Sequence, residues 1–276
     1  MNTDLLTPEV GRLLETALDG ASGVVYLVAP SRTTVEAAVD VLTDTDADAD
    51  GGGITVRLLA DERVLKDVLE DFLVGSLAAD LVDAGRLELR TAGLESNTLL
   101  VSEDRVLAIV DAGDRVGGLG TDESTFVDGV RDRYDATWDD AEEHDLRTPP
   151  ISRVRNTLRD DLSRGVADDF DAVMGSLETA RGDGDGLDEV TVSLLVAARN
   201  EALLYDISRW GEDVGIASKA TFSRTKTRLE ELGLLDTEKV PIDVGRPRLR
   251  LVLGESRLQE AGPDELANAA QSVLAS

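Results

Sequence analysis

The chain has 276 residues, enough for two modest domains; its 42% apolar content can fill their cores, although aromatics make up only 3%. Acidic residues dominate, with 56 Asp and Glu against 28 Lys and Arg, for a formal charge of −28. That balance taken alone argues against a nucleic-acid partner, and the absence of cysteine excludes disulfides, thiolate metal sites and thiol nucleophiles.

Only Lys66, Lys219, Lys226 and Lys239 are lysines; every other basic residue is Arg. High Asp and Glu with little Lys is the signature of a cytoplasm at molar salt, where charge repulsion is screened within about 3 Å. Met1–Glu9 has neither the basic nor the apolar region of a signal peptide. The longest apolar runs, such as Val24–Pro30, fall well short of the roughly 20 residues of a membrane span. A halophilic, soluble, cytoplasmic protein without a membrane partner is expected.

Along the chain, residues 5–18 predict a helix with Leu5, Leu6, Val10, Leu13, Leu14 and Leu18 on one side. Val24–Ala29 predicts a buried strand, and Ser31 opens a helix to about Leu42. An acidic loop, Thr43–Gly53, precedes a strand at Ile54–Leu59 and one long helix to about Ala84. Arg86–Arg90, Thr98–Val101 and Val106–Val110 predict strands, the last two joined by the turn Ser102-Glu103-Asp104. A Gly-rich stretch, Asp111–Gly120, leads into a helix from about Asp122 to Glu143. Alternating strands and helices predict an α/β N-terminal domain, a layered and partly parallel sheet with helices, over residues 1–147. It is read as a sensor or assembly domain.

Residues 148–186 predict a connecting helix and linker. Thr148-Pro149-Pro150 breaks the chain, and Ile151, Val154, Leu158, Leu162, Val166, Phe170, Val173 and Leu177 then fall on one helical stripe, either docking on the first domain or forming a dimer contact. Arg181–Gly186 is a flexible linker. Residues 187–254 predict a winged helix-turn-helix: helices at Glu189–Asn200 and Leu203–Val214, a turn at Gly215-Ile216-Ala217, a third helix capped by Ser218 and ended by Gly233, then strands at Leu234–Lys239 and Leu249–Leu253. Residues 255–276 carry a last helix from about Pro263; its Leu266, Ala270 and Val273 offer further apolar surface for a homodimer.

The third helix carries the functional signal. On a helical wheel Phe222, Thr225, Leu229 and Leu232 face the core. Ala220, Ser223, Arg224 and Thr227 fall opposite with Lys219 beside them, and Lys226 and Arg228 flank that face. Small outer residues let a helix lie deep in the major groove, where longer basic ones reach bases and phosphates. Residues 214–250 hold eight Lys and Arg against five Asp and Glu, net +3, leaving −31 on the rest of the chain. Lys239, Arg246, Arg248 and Arg250 put the wing in the same basic island. Such an island in so acidic a chain predicts a polyanionic partner, double-stranded DNA.

The stretch from Gly186 to Leu251, GLDEVTVSLL to GRPRLRL, resembles the winged helix of haloarchaeal transcription regulators of the TbsP type. NTLLVSEDRVLAIVDAGDRVGGLGT, from Asn97, and FVDGVRDRYDATWDDAEE, from Phe126, are similar to the effector domain of TrmB-family regulators. That domain resembles half of a phospholipase D fold and senses sugars in TrmB proteins, which carry their helix-turn-helix first. The resemblance implies a sequence-specific DNA-binding regulator of central carbon metabolism.

Other motifs fail on their chemistry. Phospholipase D catalysis needs H-x-K-x4-D, and the one histidine, His144, is followed by Asp145-Leu146 and reads as a polar helix-end residue. One His without Cys also removes His/Cys zinc sites and the Ser-His-Asp triad. Asp46–Gly51 copies the start of an EF-hand loop, but Arg57 stands where the bidentate Glu belongs. No catalytic residue, metal or cofactor is expected. Ser31, Arg32 and Thr33 at a helix start could hold a small anionic metabolite on free amides, with Arg32 as counter-charge, or be an ordinary helix cap. The leading reading is a DNA-binding regulator; the alternative is an assembly factor whose winged helix binds protein.

Overall fold

The computed structural model describes residues 3–45, 53–177, 187–241 and 247–274. The EF-hand-like segment from Asp46, the linker Arg181–Gly186 and Arg246 lie outside the described residues. The chain divides into two compact units, Met1–Glu70 with Leu77–Leu146, and Asp71–Ser76 with Arg147–Ser276.

The first unit begins with strand β1 (Thr3–Thr7) and helix α1 (Val10–Leu18). Leu5 and Leu6 therefore leave the expected helix: they pair with Gly118 and Gly117 at the sheet edge. There follow β2 (Gly23–Val28), α2 (Arg32–Asp44), β3 (Ile54–Ala60), α3 (Glu62–Leu69), α4 (Phe72–Asp83), whose residues up to Ser76 belong to the second unit, and β4 (Leu87–Thr91). The single long helix expected before β4 is two, because the Asp71 carboxylate accepts from Leu73 N at 3.0 Å and starts a new one. Next come β5 (Thr98–Val101), β6 (Val106–Asp111), β7 (Val116–Thr121), α5 (Ser124–Asp140) and β8 (Glu142–Glu143). The Gly-rich stretch expected to be a connection thus holds β7, which pairs antiparallel with both β1 and β6. Gly118 is needed there: a Cβ would approach Leu107 at 3.1 Å and Leu13 of α1 at 3.2 Å.

The eight strands form one mixed sheet, β1-β7-β6-β5-β2-β3-β4-β8, in which β2, β3 and β4 run parallel. Crossovers through α2 and through α3–α4 make those parallel pairs possible. Tyr26, Val28, Leu59, Val101 and Val106 cluster with Val127, Tyr134 and Trp138 of α5. A polar network borders it: the Tyr26 hydroxyl donates to Asp135 at 2.5 Å, and Arg57 donates to Tyr26 at 3.0 Å and to Glu88 at 2.9 Å. The Arg57 and Arg90 guanidinium carbons lie 5.1 and 4.9 Å from the Trp138 ring centroid. Burial, then the bond to Asp135, raises the Tyr26 pKa. His144 follows β8 instead of ending a helix, and burial lowers its pKa.

The second unit contains α6 (Ile151–Asp161), α7 (Arg164–Gly175), α8 (Glu189–Arg199), α9 (Leu204–Val214), α10 (Lys219–Glu231), β9 (Leu235–Val240), β10 (Arg248–Leu253), α11 (Ser256–Glu260) and α12 (Pro263–Leu274). The expected stripe from Ile151 to Leu177 is broken, since Ser163 accepts from Val166 N at 3.2 Å and starts α7. Ile151, Val154, Leu158, Val166, Phe170 and Val173 are buried, as are Leu266 and Ala270 of α12. They form this unit's core, so most of the apolar surface expected to serve a homodimer is already covered; Leu162, Leu177 and Val273 are half-buried.

Helix α8 is buried on every side from Val190 to Ala198, Thr191 and Ser193 included, as befits a helix enclosed by others. Polar bonds fix its end: Asp169 of α7 lies 3.3 Å from Arg199 and accepts from Asn200 at 2.7 Å, while Arg199 donates to the Ala261 carbonyl at 2.5 Å. The buried Trp210 indole donates to Thr157 at 2.9 Å, tying α9 to α6. Among the described residues no helix is long and apolar enough to cross a membrane.

Candidate nucleic-acid interface

The turn between α9 and α10 is set by local chemistry. Gly215 takes a left-handed φ of 96°, which ends α9 and lets Ile216 N reach the Gly211 carbonyl at 2.9 Å. Ser218 accepts from Thr221 N at 3.2 Å and starts α10. At the crossing Gly211 leaves room for Phe222, whose ring carbons would lie 2.2 and 2.3 Å from a Cβ there. Phe222 and Leu229 seat α10 in the core. Leu232, expected beside them, is 40% exposed, because it is the C-cap and the chain already turns toward Gly233.

That seating brings Ser218, Lys219, Ala220, Ser223, Arg224, Thr227 and Arg228 together on the exposed side of α10, without an acid among them. Among the described residues Arg224 has only a 3.4 Å bond, to Thr221 of its own helix. Lys226 departs from expectation. Its side chain is 12% exposed, and its ammonium lies 2.7 Å from Glu230, which also accepts from Thr237 of β9 at 2.9 Å. It fastens α10 to the wing instead of flanking the outer face.

The wing divides the remaining bases. Strands β9 and β10 pair antiparallel, with Lys239 opposite Leu249 and Arg250 opposite Glu238. Lys239 therefore shares a face with Leu249 and the buried Leu251, whereas Arg248 and Arg250 share the other. The segment before α9 adds a third pairing: Leu203 bridges Arg250, and Leu251 N donates to the Ala202 carbonyl at 2.9 Å.

Carboxylates stand beside most of these cations. Lys219 lies 2.6 Å from Glu212, Arg248 lies 3.7 Å from Asp206, and Arg250 lies 3.7 Å from Glu201 and 4.0 Å from Glu238. The hydrogen bond between Lys219 and Glu212 lowers the carboxyl pKa and raises that of the ammonium. A phosphate reaching these bases would have to displace exposed carboxylates, which is feasible because such surface pairs are weak. Sequence reasoning did not pair these acids with these bases, and it passed over Tyr205 of α9, 48% exposed beside Arg248. An aromatic residue at a helix start was the available signal.

At the start of α2, Ser31 accepts from Thr34 N at 3.2 Å and lies 3.0 Å from the Thr33 hydroxyl. Arg32 is 4.0 Å from Glu36, 3.9 Å from the Asp67 carboxylate and 3.1 Å from the Asp67 carbonyl. The cap is filled by the chain's own hydroxyl, and the expected counter-charge is engaged by the chain's own acids.

Two family models match the chain. One describes the N-terminal part of TbsP-like transcriptional regulators and matches residues 2–149. The other describes their C-terminal helix-turn-helix domain and matches residues 150–271. No curated protein matches. Among solved structures, the chain is similar to TrmBL2, described as an archaeal chromatin protein with a novel mode of DNA binding, at a TM-score of 0.36 and 13% identity over 51% of this chain and 54% of that one. It is also similar to NucT from Helicobacter pylori, at a TM-score of 0.35 and 12% identity over 52% of this chain and 99% of that one. The chain thus spans about half the length of the TrmBL2 chain.

Proposed function

The chain belongs to the TbsP-like transcriptional regulators, and from that premise we propose that its second unit binds double-stranded DNA in a sequence-specific manner, with α10 in the major groove and the β9–β10 wing on the backbone. The observation that carries this reading is the exposed side of α10 from Ser218 to Arg228, which holds no acid before Glu231 at the helix's last position, in a chain of net charge −28. Arg224 stands among Ala220, Ser223 and Thr227, all small enough to admit it to the groove. Lys219 and Arg228 flank it, and on the wing Arg248 and Arg250 suit phosphates from one face and Lys239 from the other.

A helix-turn-helix reads an operator as a two-fold pair, so the functional species is a homodimer. Because the stripe of α6–α7 is buried, its contact uses another surface. The first unit acts as a metabolite-sensing or assembly domain, with central carbon metabolism as the regulated process; a small anionic metabolite at Ser31, Arg32 and Thr33 would have to displace Glu36 and Asp67 from Arg32. Occupancy across the genome at native salt, with and without sugar, tests the regulatory role, and light scattering at micromolar concentration tests the dimer.

A bidentate Arg–guanine pair discriminates between bases by about 1–3 kcal/mol. Arg224→Ala should weaken binding to duplexes selected by the wild-type protein and relax preference at one position. Arg250→Ala should weaken all sequences alike and reduce the salt slope by about 1. Unchanged affinity in both variants would leave a protein-binding role for the winged helix as the better account.

A further inference from the structure

Nine side chains in this protein are aromatic, and seven of them are buried; Tyr205 and Phe126 are exposed. Tyr205 lies in the first turn of α9, immediately after the segment that pairs with β10. That pairing fixes its position against the wing. The Arg248 guanidinium carbon sits 4.7 Å from the Tyr205 ring centroid, and Arg248 is held at 3.7 Å by Asp206, the next residue of α9. The Tyr205 hydroxyl has no hydrogen-bond partner among the described residues.

One ring thus stands against the wing, with a guanidinium over its face and a hydroxyl unengaged. A guanidinium stacked on an aromatic face keeps its donors while losing rotational freedom, so less order has to be imposed when it bonds a phosphate. A phenol hydroxyl donates well to a phosphate oxygen.

Resting on the DNA reading above, we propose that Tyr205 is a DNA-backbone contact of the winged helix and the positioning residue for Arg248, so that ring and guanidinium engage the phosphates as one unit. Asp206 orients the guanidinium in the free protein and yields it to DNA.

The test measures affinity of the full chain for a mixed-sequence duplex at several KCl concentrations. Tyr205→Ala should weaken binding roughly tenfold, close to the effect of Arg248→Ala. The double variant should be no more than about twofold worse than Arg248→Ala alone, because the two residues act together. Tyr205→Phe keeps the ring and should recover most of the loss, the remainder being the share of the hydroxyl. Arg248→Ala should lower the salt slope by about 1 and Tyr205→Ala by part of that, an effect that a role in folding alone would not produce. Unchanged binding in Tyr205→Ala while the wild type binds, or losses that simply add in the double variant, would overturn the inference alone. Failure of the wild type to bind any duplex would overturn the DNA reading itself.

Discussion

Replacing Gly211 by Ala would test how α10 is seated. A methyl group at that position would lie 2.2 and 2.3 Å from two ring carbons of Phe222, which is fully buried. Ordinary contact begins near 3.4 Å, so the ring would have to retreat by about 1 Å or more. Phe222 belongs to α10, so its retreat moves the helix that carries Arg224. Two effects oppose each other. Ala is favoured over Gly inside a helix by about 1 kcal/mol. Overpacking a core costs about 1–3 kcal/mol, and two ring carbons far inside contact distance place this site at the upper end. The net expectation is destabilisation by about 2 kcal/mol, which lowers the Tm of a unit this size by roughly 5–10 °C. Thermal unfolding at fixed high KCl measures it. Gly129→Ala in α5, where nothing lies within 4 Å of a Cβ, is the companion and should gain about 0.5–1 kcal/mol. If Gly211→Ala melts at or above the wild-type temperature, the close crossing of α9 and α10 is refuted as the seat of the helix.

Two further outcomes concern charge. Burial, followed by the negative charges of Asp188 and Asp71, pushes Glu189 at the start of α8 up to about 7 from 4.5. The folded protein then keeps a proton that the unfolded chain releases, so this contribution to stability is full below pH 4.5 and lost as pH rises to about 7. Glu189→Gln should therefore be more stable than wild type by roughly 1–3 kcal/mol at about pH 8, with the gain shrinking toward acid; parallel Tm profiles for the two proteins would contradict this. Net charge −28 leads to a second outcome. Lowering KCl from about 2 M to about 0.1 M lengthens the screening distance toward about 10 Å and should lower the Tm, and a constant Tm would remove the halophilic reading.

What could be read from the sequence was what local chemistry decides. Gly215, Ser218 and Gly233 mark the turn and the ends of α10 through φ and capping alone, and the wheel separates Phe222 and Leu229 from Ala220, Ser223 and Arg224. Strand β7 was hidden because Gly117, Gly118 and Gly120 give it little propensity; pairing with β1 and β6 creates it. Asp71 and Ser163 cap new helices within apolar stripes that continue across them, so periodicity ran past both breaks. Lys226 looked like a flanking base because Glu230 and Thr237 meet it only once the wing folds back on α10. The acids beside Lys219, Arg248 and Arg250, and the stacking of Tyr205, depend likewise on contacts between elements.

The two tryptophans of the chain fall one to each unit. Trp138 has the guanidinium groups of Arg57 and Arg90 at 5.1 and 4.9 Å from its ring, whereas Trp210 is enclosed in the second core with its indole N–H held by Thr157. Cations over one ring and a hydroxyl at the edge of the other give the two indoles different electronic surroundings, and hence separable emission. With Trp138→Phe the remaining fluorescence belongs to the helix-turn-helix unit, and with Trp210→Phe to the α/β unit. Denaturation followed by these two natural fluorophores reports whether the units unfold together or in turn, and ligand titrations read through Trp138 become possible without any attached dye.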